Sequence, residues 1–128
     1  MAPTLLIIED DNELCRELQD ILEDEGFDVT SACDGDTGFE CASRGGFDLI
    51  LLDLKLPGRS GVRILKDLRA KGDKTHIVVM TGHPFGTSLP EQEGLENGIK
   101  LEELADHMLI KPFTIPELLS SIRGLLAE

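Results

Sequence analysis

Five short runs of apolar residues, each followed by a stretch with helical periodicity, constrain this chain more than any other feature. The first, Thr4 to Ile8, reads "TLLII", four aliphatic residues in succession after a β-branched threonine, which predicts a strand buried on both faces. It ends in "EDDN", and from Asn12 the residues Leu14, Leu18, Ile21 and Leu22 recur on one helical face until Gly26. Phe27 to Ala32 alternates like a second strand, and "DGDTGFECASRGG" predicts a short, weak helix bracketed by glycines. Asp48 to Leu52 is a third strand, followed by the "KLPGRSG" loop and a helix marked by Val62, Leu65, Leu68 and Arg69 and closed by Gly72. His76 to Met80 is a fourth strand, and a brief fifth ends at Leu109 and Ile110. In the last helix Thr114 and Glu117 are spaced as a capping box, with Pro116 in the first turn and Leu118, Leu119, Ile122, Leu125 and Leu126 as its apolar stripe.

Apolar strands alternating with helices predict an α/β fold, a parallel sheet covered by helices on both faces. A chain of 128 residues without repeats or interior linkers reads as one domain, 1–128. One segment breaks the rhythm: residues 82 to 98 hold four glycines and two prolines where a fourth helix should begin. That helix is expected to start near Ile99 or Lys100, to run about two turns, and to turn Leu101, Leu104 and Ala105 inward.

Composition narrows the function. A formal charge of −13 disfavours nucleic-acid binding by this chain, because phosphate contacts need clustered Lys and Arg. No apolar run is long enough to cross a bilayer, and the N-terminus lacks the pattern of a signal peptide, so a cytoplasmic location without membrane contact is expected. Cys15, Cys33 and Cys41 match no zinc spacing and are expected to be small buried hydrophobes.

In doubly wound sheets, ligands sit beyond the carboxyl ends of the strands. The residues found there are Glu9, Asp10 and Asp11 after the first strand, Asp53 after the third, Thr81 after the fourth, and Lys111 with Pro112 after the fifth. Clustered carboxylates repel unless a hard cation sits among them, and magnesium prefers oxygen ligands. Bound metal and a lysine ammonium neutralise an incoming phosphoryl group, and a carboxylate beside them is a competent nucleophile. Asp53 is therefore read as the nucleophile. Asp11 reads instead as the start of the following helix, where the dipole favours an acid. The Lys55 side chain reads as a solvated loop lysine, Pro57 and Gly58 as shapers of the turn, and His83 as either a site residue or a surface one.

"LIIEDD", "DLILLDLKLPGRSG", "VVMTGH" and "IKPF", in this order, resemble the receiver domain of bacterial two-component response regulators. The resemblance implies a flavodoxin-like sheet of five parallel strands in the order 2-1-3-4-5. It implies Asp53 as phosphoacceptor, Asp10 as a direct Mg2+ ligand, Glu9 acting through water, and the backbone carbonyl of Lys55 as a further ligand. Thr81 would be the switch hydroxyl, Lys111 the phosphate-binding lysine, and Pro112 the proline after a cis peptide bond. Phosphoryl groups would come from a histidine kinase or a histidine phosphotransfer protein, and output would pass to a protein target or a fused output domain.

Two departures stand out: a longer stretch than usual between Thr81 and Lys111, and Met108 where the family usually carries an aromatic ring. They imply that phosphorylation orders the 82–98 loop, expected to be the most mobile part, instead of turning a ring inward. Two rival readings are a receiver that works as a phosphorylation-independent binding module and a magnesium-dependent aspartyl phosphatase. The phosphatase class places a second Asp two residues after the nucleophile, where this chain has Lys55.

Overall fold

The structure is a computed structural model that describes residues 2–82 and 101–127. Its elements run β1 (Thr4–Ile8), α1 (Asn12–Asp24), β2 (Asp28–Ala32), α2 (Gly35–Arg44), β3 (Leu49–Asp53), α3 (Gly61–Ala70), β4 (His76–Thr81), α4 (Leu101–Leu104), β5 (His107–Ile110) and α5 (Ile115–Leu126). All strand pairings are parallel and the order is β2-β1-β3-β4-β5.

The period of two along each strand sends successive side chains to opposite faces and builds two cores. Leu5, Ile7, Leu49, Leu51, Val78 and Met80 meet Leu18 and Leu22 of α1 and Leu118 and Ile122 of α5. Leu6, Ile8, Ile50, Leu52, Ile77 and Val79 meet Ala42 of α2 and Ile64, Leu65 and Leu68 of α3. Central strands buried on both faces need an apolar residue at every position, which is why they read as unbroken runs. In the edge strand β2 only Val29 and Ala32 are buried while Asp28, Thr30 and Ser31 are exposed, so the expected alternation is incomplete.

The helix starts follow the sequence. Asp11 caps α1, its Oδ1 accepting hydrogen bonds from Glu13 N and Leu14 N at 3.1 Å each. Thr114 and Glu117 form the reciprocal capping box of α5. Asp34 caps α2; the Thr37 backbone N–H holds its carboxyl below the usual range, with the Thr37 hydroxyl assisting.

Two expectations need correction. The third strand runs one residue further, so Asp53 lies inside β3, paired with Met80 of β4. Only Cys15 is fully buried; Cys41 is half-buried, and Cys33 is exposed because it stands in the surface turn between β2 and the cap Asp34. Arg69 lies in α3 as expected, and its side chain ties several elements together. It donates from Nε to Leu104 O, and from Nη1 to Asp73 O and Thr75 O, all at 2.8 Å. Its Nη2 reaches Asp106 Oδ2 at 3.1 Å, and that oxygen also accepts from Ile77 N at 2.8 Å. One guanidinium thus fastens the ends of α3 and α4 to the start of β4 and β5.

The described part of α4 is a single turn, too short to persist without tertiary support. Leu104 and Ala105 pack on the α2/α3 side of the sheet as expected, although Ala105 already lies beyond the helix. The expected start of α4, His83, and the 82–98 loop from residue 83 onward lie outside the described residues. No described helix is long and apolar enough to cross a membrane.

Candidate functional site

The sequence-predicted site residues come together at the carboxyl ends of the central strands. β1 and β3 are hydrogen-bonded neighbours, Ile8 beside Leu52, so the residues that follow each strand are brought side by side. This is the point where the strand order reverses, with β2 on one side of β1 and β3 on the other. One carboxylate oxygen each from Glu9, Asp10 and Asp53 falls within 4.8 Å of the others. Asp10 is exposed, whereas Glu9 and Asp53 are only 1% and 6% exposed.

Burying two acids is expensive unless a cation answers them. Here Lys111 does: its Nζ lies 2.7 Å from Glu9 Oε1 and 3.5 Å from Asp53 Oδ1. Glu9 is satisfied on its other oxygen by the Asp11 N–H at 3.1 Å. Asp53 has less help, with Lys111 at the longer distance and a Lys55 N–H at 3.4 Å. Burial, reinforced by the neighbouring Glu9 charge and only partly offset by Lys111, pushes the Asp53 carboxyl up to about 7. Burial alone would lower the Lys111 ammonium; the Glu9 hydrogen bond and the Asp53 charge outweigh it and raise the group above its usual value.

Thr81 closes the site at the end of β4, buried, in register with Ile110. Its carbonyl accepts the Lys111 N–H at 2.7 Å, which places that lysine one residue past the end of β5. The Lys111–Pro112 peptide bond is cis, as expected. The Lys55 side chain is exposed, and Gly58 adopts φ +80°, a turn conformation suited to glycine.

Such an arrangement suits a hard cation bound by oxygen, next to a carboxylate with one face toward the strand ends and an ammonium ready to meet an anion. Sequence reading missed the residues that hold the β3–α3 loop, namely Arg59 with Asp36, Phe39 and Asp67. Each looks like an ordinary surface residue in sequence, and the partners lie eight or more positions apart, on two helices.

Residues 5–123 match the family of response regulator receiver domains. Among curated proteins, the chain is 38% identical over 125 residues to the transcriptional regulatory protein YkoG of Bacillus subtilis, covering 97% of this chain and 51% of that one. It is 40% identical over 123 residues to the transcriptional regulatory protein CiaR of Streptococcus pneumoniae, covering 95% and 50%. The chain therefore spans about half the length of the curated relatives it matches. Among solved structures it resembles a CheY-like receiver domain protein of Methanospirillum hungatei, with a TM-score of 0.82, 27% identity, and 97% and 93% of the two chains covered. With the family matched over almost its whole length, this chain belongs to the response regulator receiver domains, the signalling modules of two-component systems.

Proposed function

We propose that Asp53 accepts a phosphoryl group from a phosphohistidine donor, a histidine kinase or histidine phosphotransfer protein, and that the phosphorylated domain changes its binding to a downstream target. The supporting observation is the placement of Asp53: buried at the end of β3, between a second buried acid and the Lys111 ammonium. An Asp53 oxygen attacks phosphorus, the phosphorus–nitrogen bond of the donor breaks, and its electron pair returns to the imidazole. Hydrolysis later returns the carboxylate and inorganic phosphate.

The donor set fits Mg2+, since three carboxylates supply oxygens within 4.8 Å of one another. Glu9, Asp10 and Asp53 would hold it together with the Lys55 carbonyl, Asp10 directly and Glu9 through water. When bound, the ion neutralises charge on the phosphoryl oxygens. Lys111 would turn from Glu9 to a phosphoryl oxygen, and the Thr81 hydroxyl would donate to another. The chain acts as a switch, not as an enzyme on an outside substrate, and works in the cytoplasm as one receiver domain over 1–128. Its output runs through a separate protein or a fused output domain, without nucleic-acid or membrane contact of its own.

Incubation with acetyl phosphate and Mg2+, followed by mass spectrometry, tests this reading. Wild-type protein should gain one phosphoryl mass, and Asp53→Asn or chelation should abolish the gain. Labelling that survives Asp53→Asn overturns the assignment. A wild-type chain that takes no label points to the binding-module alternative.

A further inference from the structure

We propose that Arg59 is a positioning residue for the β3–α3 loop, holding the Lys55 backbone where it can serve the acidic site. The inference rests on the phosphoacceptor reading above and assigns a role to a residue outside the strand ends.

The loop from residue 54 to 60 leaves Asp53 and enters α3 at its cap, Ser60. Its ends are tied to the sheet and to each other, Leu54 N donating to Met80 O at 3.1 Å and Gly61 N to Leu54 O at 2.9 Å. Between them Lys55 has an exposed side chain and, among the described residues, a long N–H contact to Asp53, too weak to fix a backbone by itself. The restraint comes from further along. Pro57 O accepts from Gly35 N at 3.0 Å, and the Arg59 backbone lies so close to α2 that a Cβ at Gly35 would stand 1.6 Å from Arg59 O.

The Arg59 side chain completes the clamp on two helices at once. Its guanidinium carbon sits 3.9 Å from the centre of the Phe39 ring on α2. Nη1 pairs with Asp67 Oδ2 of α3 at 3.2 Å, and Nε faces Asp36 Oδ1 of α2 at 3.9 Å. An isolated surface ion pair would organise little. The Arg59 side chain is 31% exposed and its guanidinium is stacked, and a planar fork with a π-face fixes direction as a flexible ammonium does not. Removing it leaves the loop on its backbone contacts to α2 alone, Gly35 N to Pro57 O among them, and touches no strand-end residue.

Calorimetric Mg2+ titration of wild-type protein, Arg59→Ala, Arg59→Lys and Arg69→Ala tests the proposal, with acetyl-phosphate labelling of Asp53 measured alongside. Arg69→Ala is the control for general loosening, because it breaks contacts at the other end of α3. Arg59→Ala should weaken Mg2+ binding roughly tenfold, the usual effect of losing an outer support of a metal site. Arg59→Lys should fall between it and wild type. Labelling of Arg59→Ala should recover toward the wild-type rate at saturating Mg2+. Unchanged Mg2+ affinity in Arg59→Ala, or an equal loss in Arg69→Ala, overturns the role of Arg59. Wild-type protein that binds Mg2+ but takes no label removes the phosphoacceptor reading while leaving the affinity comparison to judge the clamp. A wild type that binds no Mg2+ overturns both.

Discussion

Asp53 holds its proton where an ordinary carboxylate has lost it, and this has a direction. With a native value of about 7 against an unfolded one near 4, the unfolded chain releases its proton first as pH rises. Between these values the native state binds more protons, so stability contributed by this group falls with rising pH and levels off above 7. In metal-free buffer the melting temperature of Asp53→Asn should therefore pull ahead of wild type from pH 5 to 7, and the gap should then stay constant. A gap independent of pH would show that Asp53 titrates normally. Lys111 carries the complementary prediction. Lys111→Ala leaves Glu9 buried without its cation, and metal-free protein should lose about 3 kcal/mol in a urea titration. At this scale the gathering of Glu9, Asp53, Thr81 and Lys111 was open to sequence reading because each directly follows an apolar run, with Asp10 one residue further on. The pairing of Lys111 with Glu9 was not, since nothing in a sequence says which of two neighbouring acids a lysine will prefer.

Elements were legible where their own residues decide them. The capping box at Thr114 and the unbroken apolar run of β1 are local signals, and they appear where expected. The end of β3 was not local: Asp53 joins the strand because Met80 on β4 pairs with it. Nor was the meeting of α2 with the β3–α3 loop, where Gly35 permits two backbones to touch. Gly35→Ala puts a methyl group on the Arg59 carbonyl, so one segment must move. It should destabilise the fold by about 2 kcal/mol or more, measured by chemical denaturation. The same substitution at Gly124, where a Cβ meets open space within the helix α5, should be neutral or stabilising by up to about 1 kcal/mol.

For the whole molecule, the charge of −13 and the crowded strand-end acids make cations the natural stabilisers. A ligand that binds only the native state at a hundredfold excess over its Kd adds about 2.7 kcal/mol. Millimolar Mg2+ should raise the melting temperature of wild-type protein, and Asp10→Asn should remove most of that gain. An equal rise in both would assign the effect to general screening. The two-sided core was readable from the alternation of unbroken apolar runs with helical stretches, since it depends on pattern and not on particular partners. The network around Arg69 was hidden because its acceptors are mostly backbone carbonyls, which every sequence contains.

That network has a mechanical consequence. Asp106 N donates to Ile77 O at 2.9 Å while Asp106 Oδ2 accepts from Ile77 N, so the entry to β5 is bolted to β4 in both directions. Lys111 stands at the opposite, carboxyl end of the same strand. A pull on the lysine cannot slide β5 along its neighbour, because the bolt holds the register. With Lys111 N also held by Thr81 O at 2.7 Å, the pull passes beyond the strand, and the part left to move is the turn leading into α5.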